Sequence, residues 1–346
     1  MIKKIDIKTI GKKDLELFCT NNNTEKFRAN QIEEWLWKKG AKCFDEMTSL
    51  PASFRFLLSE NFIINSVEIT SKQVSVDRSI KYGLKLFDKK IIEGVLIPSK
   101  KRVTICISSQ AGCSLDCFFC ATGKLKLERN LMSWEIYEQV YLLNKESIKE
   151  FGVAISNIVY MGMGEPLLNY SNVIQSIGLI TDNKGLGMSP KRITVSTSGI
   201  AKMIKKLGDD QVKFNLAISL HSANNKTRSS LMPINKRINL AELKKSIVHF
   251  YKMTKTRITY EYILFEKIND SINDANELAE LTKITPCKIN LIEYNPIEGV
   301  VYKKSDHNKT KKFISILESK NLIVNLRKSK GKDIDAACGQ LANRLS

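Results

Sequence analysis

Arg102-Val103-Thr104-Ile105-Cys106-Ile107-Ser108-Ser109-Gln110-Ala111-Gly112-Cys113-Ser114-Leu115-Asp116-Cys117-Phe118-Phe119-Cys120 is the stretch on which the reading of this chain turns. Residues 103–107 are a β-branched run of the kind that makes a buried strand. Cys113, Cys117 and Cys120 follow it with C-x3-C-x2-C spacing. A strand that leads into a loop of crowded cysteines puts reactive side chains at a carboxyl strand end, where α/β sheets and barrels carry their chemistry.

Downstream the same rhythm repeats. Short β-branched runs at 158–161, 193–196, 214–220, 258–265 and 289–294 predict strands, and helical stretches begin near Ser133, Tyr170, Ile200, Asn239, Asn273 and His307. Six strand–helix units in succession require parallel crossovers, so the expected class is α/β, as an open sheet or a barrel. A last strand at 322–326 leads into a glycine-bearing tail that holds Cys338.

Upstream, the first sixty residues read as helical. Leu15, Leu17 and Phe18 precede a run from 28 to 39 in which Ile32, Trp35 and Leu36 recur at helical spacing, with Gly40 as a stop. Ser49-Leu50-Pro51 opens another short helix with Phe54, Leu57 and Leu58 on its inner side. From 65 to 98 the period falls to two, with Asp88-Lys89-Lys90 as a hairpin turn. The expected division is a module at 1–64, linking strands at 65–98, a strand–helix body at 99–330 and a tail at 331–346.

The 346 residues are 43% hydrophobic and 26% charged, which fits a globular chain and argues against disorder. No apolar run reaches the roughly 18 residues of a membrane span, and Met1-Ile2-Lys3-Lys4-Ile5-Asp6 has no apolar signal core behind it, so a cytoplasmic location is expected. The formal net charge is +19, from 55 Lys and Arg against 36 Asp and Glu. Two readings of that charge stay open. One is a polyanionic partner whose phosphates are neutralised with release of counterions; the other is lysine bias, since only 11 of the 55 basic residues are arginine.

The eight cysteines are Cys19, Cys43, Cys106, Cys113, Cys117, Cys120, Cys287 and Cys338. They do not read as a disulfide framework, which belongs to small secreted domains. Three thiolates on one tight loop can hold three irons of a 4Fe-4S cluster, leaving the fourth iron open for reaction. A zinc site would want a fourth Cys or His close by, whereas His221, His249 and His307 lie far off in the sequence. Cys19, Cys43 and Cys287 match no motif and read as structural.

The C-x3-C-x-Φ-C pattern, with Phe119 before the last cysteine and a repeating βα chain around it, is the signature of the radical S-adenosylmethionine (SAM) superfamily. Within it the chain resembles the RlmN/Cfr family of RNA adenine methyltransferases along most of its length. The matching segments are Ile92-Glu93-Gly94-Val95-Leu96-Ile97-Pro98, the run from Cys106 to Cys113, Gly162-Met163-Gly164-Glu165-Pro166-Leu167-Leu168-Asn169, Ser196-Thr197-Ser198-Gly199, Ser219-Leu220-His221, Met232-Pro233-Ile234-Asn235, Tyr294-Asn295-Pro296 and Asp335-Ala336-Ala337-Cys338-Gly339-Gln340-Leu341.

The resemblance implies a partial (β/α)6 TIM-like barrel of the radical SAM type with a small, mainly helical, RNA-binding domain at the N-terminus. It implies one 4Fe-4S cluster on Cys113, Cys117 and Cys120. It also implies SAM contacts from Gly164, Glu165, Ser196, Ser219, Leu220, His221 and Asn295, which taken singly are ordinary turn and strand-end residues. Cys338, by itself a small buried thiol, becomes an S-methylated carrier, and Cys106 its partner in a transient disulfide. Glu93, by itself an exposed strand carboxylate, becomes the proton acceptor.

The implied reaction uses two SAM molecules per turnover. One methylates Cys338; the other is cleaved to a 5′-deoxyadenosyl radical that takes a hydrogen from the new methyl group. The carbon radical then adds to carbon 2 of adenine, which is too electron-poor for polar methyl transfer, and Cys106 attacks the bridging sulfur to release the product. The implied substrates are 23S rRNA, at the peptidyl-transferase centre, and the adenosine 3′ of the anticodon in some tRNAs. The implied electron donor is a low-potential protein such as flavodoxin or ferredoxin, and a monomer with no membrane partner is expected. Expected phosphate contacts are Lys124, Lys126 and Arg129, then Lys226, Arg228, Lys236 and Arg237, then Arg327, Lys328, Lys330 and Lys332.

Two rivals remain. Methylation of 23S rRNA at adenine carbon 8, the Cfr reaction, is opposed by Pro166, because that branch has Ala there. A non-enzymatic iron–sulfur protein that binds RNA or carries electrons leaves Cys106 and Cys338 without roles.

Overall fold

The computed structural model describes residues 4–100 and 102–342. At the N-terminus lie β1 (Ile5–Asp6), α1 (Lys12–Asn21), α2 (Arg28–Glu33), α3 (Ala52–Asn61) and β2 (Phe62–Ile63), with β1 and β2 paired in parallel. The α2 coil runs on through Glu34–Lys39 and stops at Gly40, whose φ of 69° is left-handed. This part docks on the helix α4 (Ser133–Phe151). The Tyr137 hydroxyl donates to the Trp37 carbonyl, the Tyr141 hydroxyl donates to the Lys39 carbonyl at 2.7 Å, and the Lys8 ammonium pairs with Glu138.

Next come β3 (Glu68–Val74), β4 (Ile80–Lys85) and β5 (Ile91–Ser99), an antiparallel meander whose second turn holds Asp88 and Lys89 (φ 68°), as the sequence predicts. Then follow β6 (Arg102–Cys106), the short antiparallel pair β7 (Gln110–Ala111) and β8 (Arg129–Asn130), β9 (Asn157–Tyr160), β10 (Ile193–Thr197), β11 (Asn215–Ser219), β12 (Ile258–Leu264), β13 (Cys287–Glu293) and β14 (Val324–Arg327). The ten-stranded sheet has the order β14-β13-β12-β11-β10-β9-β6-β5-β4-β3. Within this sheet the pairings among β6 and β9–β14 are all parallel, and the meander continues it antiparallel through β5. Among the described residues β6 and β14 are not paired with each other, so the strands form an open sheet there.

The covering helices are α4, α5 (Tyr170–Thr181), α6 (Ala201–Asp209), α7 (Asn225–Leu231), α8 (Leu240–Thr254), α9 (Ile272–Thr282) and α10 (His307–Ser319). Their starts are chemically marked: Asn239 caps α8, Ser271 and Asp274 form a capping box on α9, and Asp306 caps α10. The short α7 escapes the sequence pattern because seven residues are too few to show a period, although Asn224 caps it. β14 begins two residues later than expected because the Leu322 N–H closes the turn after α10 on the Leu317 carbonyl. β12 is buried along its whole length, as a strand covered on both faces must be. Among the described residues no helix is long and apolar enough to cross a membrane.

Candidate active site

The loops after β6, β9, β10 and β11, the ends of β12, β13 and β14, and the tail converge on one cavity. Cys113, Cys117 and Cys120 reach it from the loop after β6, Gly164 and Glu165 from the loop after β9, Ser196 from β10, and Ser219 and His221 from the end of β11. Cys338 reaches the same wall from the tail. Nine of the thirteen residues expected at the site thus share one cavity, although they come from five separate parts of the chain.

The cysteine loop is held from three directions. Phe118 N–H donates to Leu231 O at 3.1 Å, Ala121 N–H to Gly339 O at 2.7 Å, and Cys120 N–H folds back on Cys117 O at 3.1 Å. Gly112 allows the loop to enter: its φ is 77°, and a Cβ there would stand 2.0 Å from Lys126 O. Burial pushes all three thiols up, Cys113 to about 11 and Cys117 well above the ordinary value. Their mutual repulsion adds to the effect, and the Arg228 charge opposes it weakly at Cys117. Three thiolates here therefore lack a matching cationic side chain, and a metal-bearing group is what would balance them. Among the described residues no three Cys, His, Asp or Glu side chains converge as a single-ion site. The donor set fits a 4Fe-4S cluster, in which each thiolate takes its own iron.

The side chains beside this loop are already partly committed. Glu165 is buried, with Oε1 accepting from Leu167 N–H at 3.1 Å and Oε2 from Ser198 N–H at 2.7 Å. Burial raises its pKa, and those N–H bonds hold it down. His221 sits at φ 56° with Nδ1 accepting from Ile263 N–H at 3.1 Å, and burial pulls its pKa to about 3. The ring is thus neutral with its proton on Nε2, a donor at the cavity wall. Ser196 and Ser219 hydroxyls lie 3.3 Å apart.

A second, adjoining cavity is walled by Cys106, Cys338 and Arg327. Both thiols are free. Burial, and secondarily Cys338, pushes Cys106 up to about 12. Burial also raises Cys338, against the pull of the Arg327 charge. Cys338 is exposed, but its exposed surface faces these two cavities. Arg327 is itself held by Glu261 at 3.3 Å, whose other oxygen accepts from Asn290 at 2.8 Å.

Three expected residues stand elsewhere. Leu220 is fully buried in the core and offers only its backbone. Asn295 donates from Nδ2 to the Cys338 carbonyl at 3.2 Å, so it supports the tail rather than the cavity wall, and its buried Oδ1 has no partner. Glu93 is not the exposed strand carboxylate its alternation implies: it is fully buried, 3.3 Å from Lys81 Nζ, and accepts from Ala342 N–H at 2.8 Å. It lines neither cavity.

Two expected phosphate contacts are overturned. Arg228 is buried and donates to the carbonyls of Leu220, Ser198 and Ser219 and to Asn235. Arg129 is forked between Asp88 and Glu135. Lys332 is paired with Glu293 at 2.9 Å. Lys126, Lys226, Lys236, Arg237, Lys328 and Lys330 remain exposed. Sequence reasoning missed Gln110, which is buried and accepts from Glu165 N–H at 2.8 Å, and Glu261, a lone acid in an otherwise apolar strand run.

Comparison with known proteins matches this arrangement to families. Residues 107–280 match the model of the radical SAM superfamily, and residues 5–64 match that of the ribosomal RNA large subunit methyltransferase N-terminal domain. The chain is 49% identical to the probable dual-specificity RNA methyltransferase RlmN of Flavobacterium johnsoniae, over 99% of this chain and 98% of that one. It is 44% identical to the dual-specificity RNA methyltransferase RlmN of Campylobacter lari, over 93% and 94%. A solved radical SAM methyltransferase from Sphaerobacter thermophilus superposes with a TM-score of 0.91 at 34% identity, covering 97% of this chain and 99% of that one.

Proposed function

The chain belongs to the RlmN family of radical SAM RNA methyltransferases, and from that premise we propose that it methylates carbon 2 of an adenosine in 23S rRNA and of the adenosine 3′ of the anticodon in tRNA. The observation that carries this reading is the pair of adjoining cavities sharing Cys338, one walled by the three loop cysteines and the other by Cys106.

In this reading Cys113, Cys117 and Cys120 hold the cluster, while Gly164, Glu165, Ser196, Ser219 and the neutral His221 orient SAM. When bound, the cluster and SAM supply one-electron chemistry and the hydrogen-abstracting fragment. Cys338 carries the carbon: its sulfur takes a methyl group from one SAM, and a second SAM is consumed when that methyl group is activated for addition to adenine. Release falls to Cys106, whose thiolate attacks the Cys338 sulfur. An S–S bond forms, the S–CH2 bond breaks, and its electron pair stays with the carbon bound to adenine, which takes up a proton to become the methyl group. Two electrons from a low-potential donor such as flavodoxin or ferredoxin then restore both thiols. Glu93 takes the proton lost from carbon 2, with Lys81 as its counterion; for this the tail end at Ala342 must withdraw from the carboxylate. Residues 1–64 and the exposed lysines at the strand ends bind RNA, and the chain acts as a cytoplasmic monomer.

The test is anaerobic reconstitution with iron and sulfide, incubation with methyl-labelled SAM and either 23S rRNA fragments or tRNA, and mass spectrometry of the digests. The expected product is 2-methyladenosine from both RNAs. Label found as 8-methyladenosine, or only in one RNA, overturns the corresponding part of the proposal.

A further inference from the structure

The turn joining β3 and β4, residues 75–79, has no part in the reaction above, yet it grips the tail just upstream of Cys338. Asp77 on the turn accepts from Gly331 N–H at 2.9 Å. Asp333 on the tail accepts in return from the Ser75 hydroxyl at 2.5 Å and from Val76 N–H at 3.0 Å. The turn is itself braced, with Ser75 N–H on Ser79 O at 2.8 Å and Ser79 N–H on Asp77 Oδ1 at 2.9 Å. Beside it, Lys81 on β4 donates to the Asp335 carbonyl at 3.4 Å.

The tail needs such an anchor. Among its described residues it has neither helix nor strand beyond one short turn at Lys332–Ile334, and Gly331, Asp335 and Gly339 are all left-handed, at φ 67°, 50° and 85°. It leaves β14, at one end of the described strand order, and meets β4 at Lys81 and β5 at Glu93, toward the other end. The cysteine loop secures only its later part, through Gly339 O and through Leu341 O, which accepts from the Thr122 hydroxyl at 2.6 Å. We propose that the β3–β4 turn is a clamp for the methyl-carrier segment, with Asp77 and Asp333 as reciprocal positioning residues that set how Cys338 stands between the two cavities. The proposal rests on the reading of Cys338 as the carrier. Its sulfur meets SAM in one cavity and Cys106 in the next, so the segment has to be held without being locked. Surface hydrogen bonds, each of modest strength, suit that demand better than a buried ladder would.

Hydrogen–deuterium exchange on the full chain tests the clamp without turnover. Asp333→Ala and Asp77→Ala should each speed exchange of the Ala336, Ala337 and Gln340 amides, which the clamp does not itself bond, by roughly fivefold or more. Apart from the Val76, Ser79 and Gly331 amides, which lose their acceptors directly, the rest of the chain and the thermal midpoint should stay as in wild type. Asp333→Asn, which keeps an acceptor oxygen, should fall between. In the reconstituted enzyme the same variants should raise the ratio of 5′-deoxyadenosine to methylated adenosine at unchanged RNA affinity, because SAM is cleaved while the carrier is out of place. Unchanged exchange, acceleration spread over the whole chain, or a wild-type product ratio overturns the proposal. Cys338→Ala assayed in parallel separates the two claims: RNA methylation surviving it defeats the carrier reading, whereas the exchange rates judge the clamp alone.

Discussion

Arg228 donates from Nη2 to the Ser198 carbonyl oxygen at 2.6 Å, so the loop after β10 is tied to α7 by a buried guanidinium. The same group reaches Leu220 O at 3.0 Å and Ser219 O at 3.3 Å, bracing the end of β11 as well. Arg228→Met removes the guanidinium from all three carbonyls, of which Leu220 O keeps the Ser222 N–H at 2.8 Å, and is expected to cost about 2–4 kcal/mol in urea unfolding. It should also weaken SAM binding by equilibrium dialysis, because the loop at Ser198 and the strand end at Ser219 lose their shared support. Arg228→Lys should recover only part of either loss, since a single ammonium cannot reproduce the fork. Wild-type SAM affinity in folded Arg228→Met would rule out the brace.

The two thiols of the second cavity should fail differently. Cys338→Ala removes the carrier, so methylated RNA is expected to disappear while SAM cleavage continues. Cys106→Ala leaves the carrier but not the group that frees it, so a covalent protein–RNA species should accumulate and survive a denaturing gel. Equal amounts of free methylated RNA from Cys106→Ala and wild type would remove Cys106 from the reaction.

The parallel body was legible because its strands are short, β-branched and covered on both faces, and the cysteine loop because its spacing is local. What escaped depends on partners far away in the chain. Arg228 looks like its neighbours Lys226, Lys236 and Arg237 until the carbonyls of Ser198 and Leu220 are seen around it. Glu93 lies on a strand whose alternation separates two faces but does not say that Lys81 and Ala342 cover one of them. The clamp is invisible for the same reason, since an aspartate in a turn is ordinarily satisfied by its own backbone. Glu261 did leave a trace, as the lone acid in Ile258–Leu264.

His221 should leave a signature in acid. Its folded pKa lies near 3 against an ordinary 6.5, with burial as the main cause and the Arg228 charge adding to it. Between those values the unfolded chain binds a proton that the folded chain does not, so stability falls as pH drops below 6.5 and this loss is complete near 3. Above 6.5 the contribution is fully present. The slope approaches about 1.4 kcal/mol per pH unit for one group. Unfolding free energies near pH 7 and about pH 5.5 should therefore diverge more in wild type than in His221→Asn. Parallel lines for the two proteins would mean that the ring is protonated in the fold.

Gly112 and Gly152 share a left-handed backbone, with φ of 77° and 70°, but not its surroundings. A Cβ on Gly152, at the end of α4, meets nothing within 4 Å, so Gly152→Ala should cost only the backbone strain, about 1 kcal/mol. A Cβ on Gly112 would overlap Lys126 O at 2.0 Å and crowd Leu127 Cα at 3.2 Å, both backbone atoms of the segment that closes the cysteine loop. Gly112→Ala should therefore push that segment away and spread the three thiols. Iron and sulfide content after reconstitution is the measurement: near wild type is expected for Gly152→Ala, and a large loss for Gly112→Ala. If both variants load equally, the close approach at Gly112 does not hold the loop in shape.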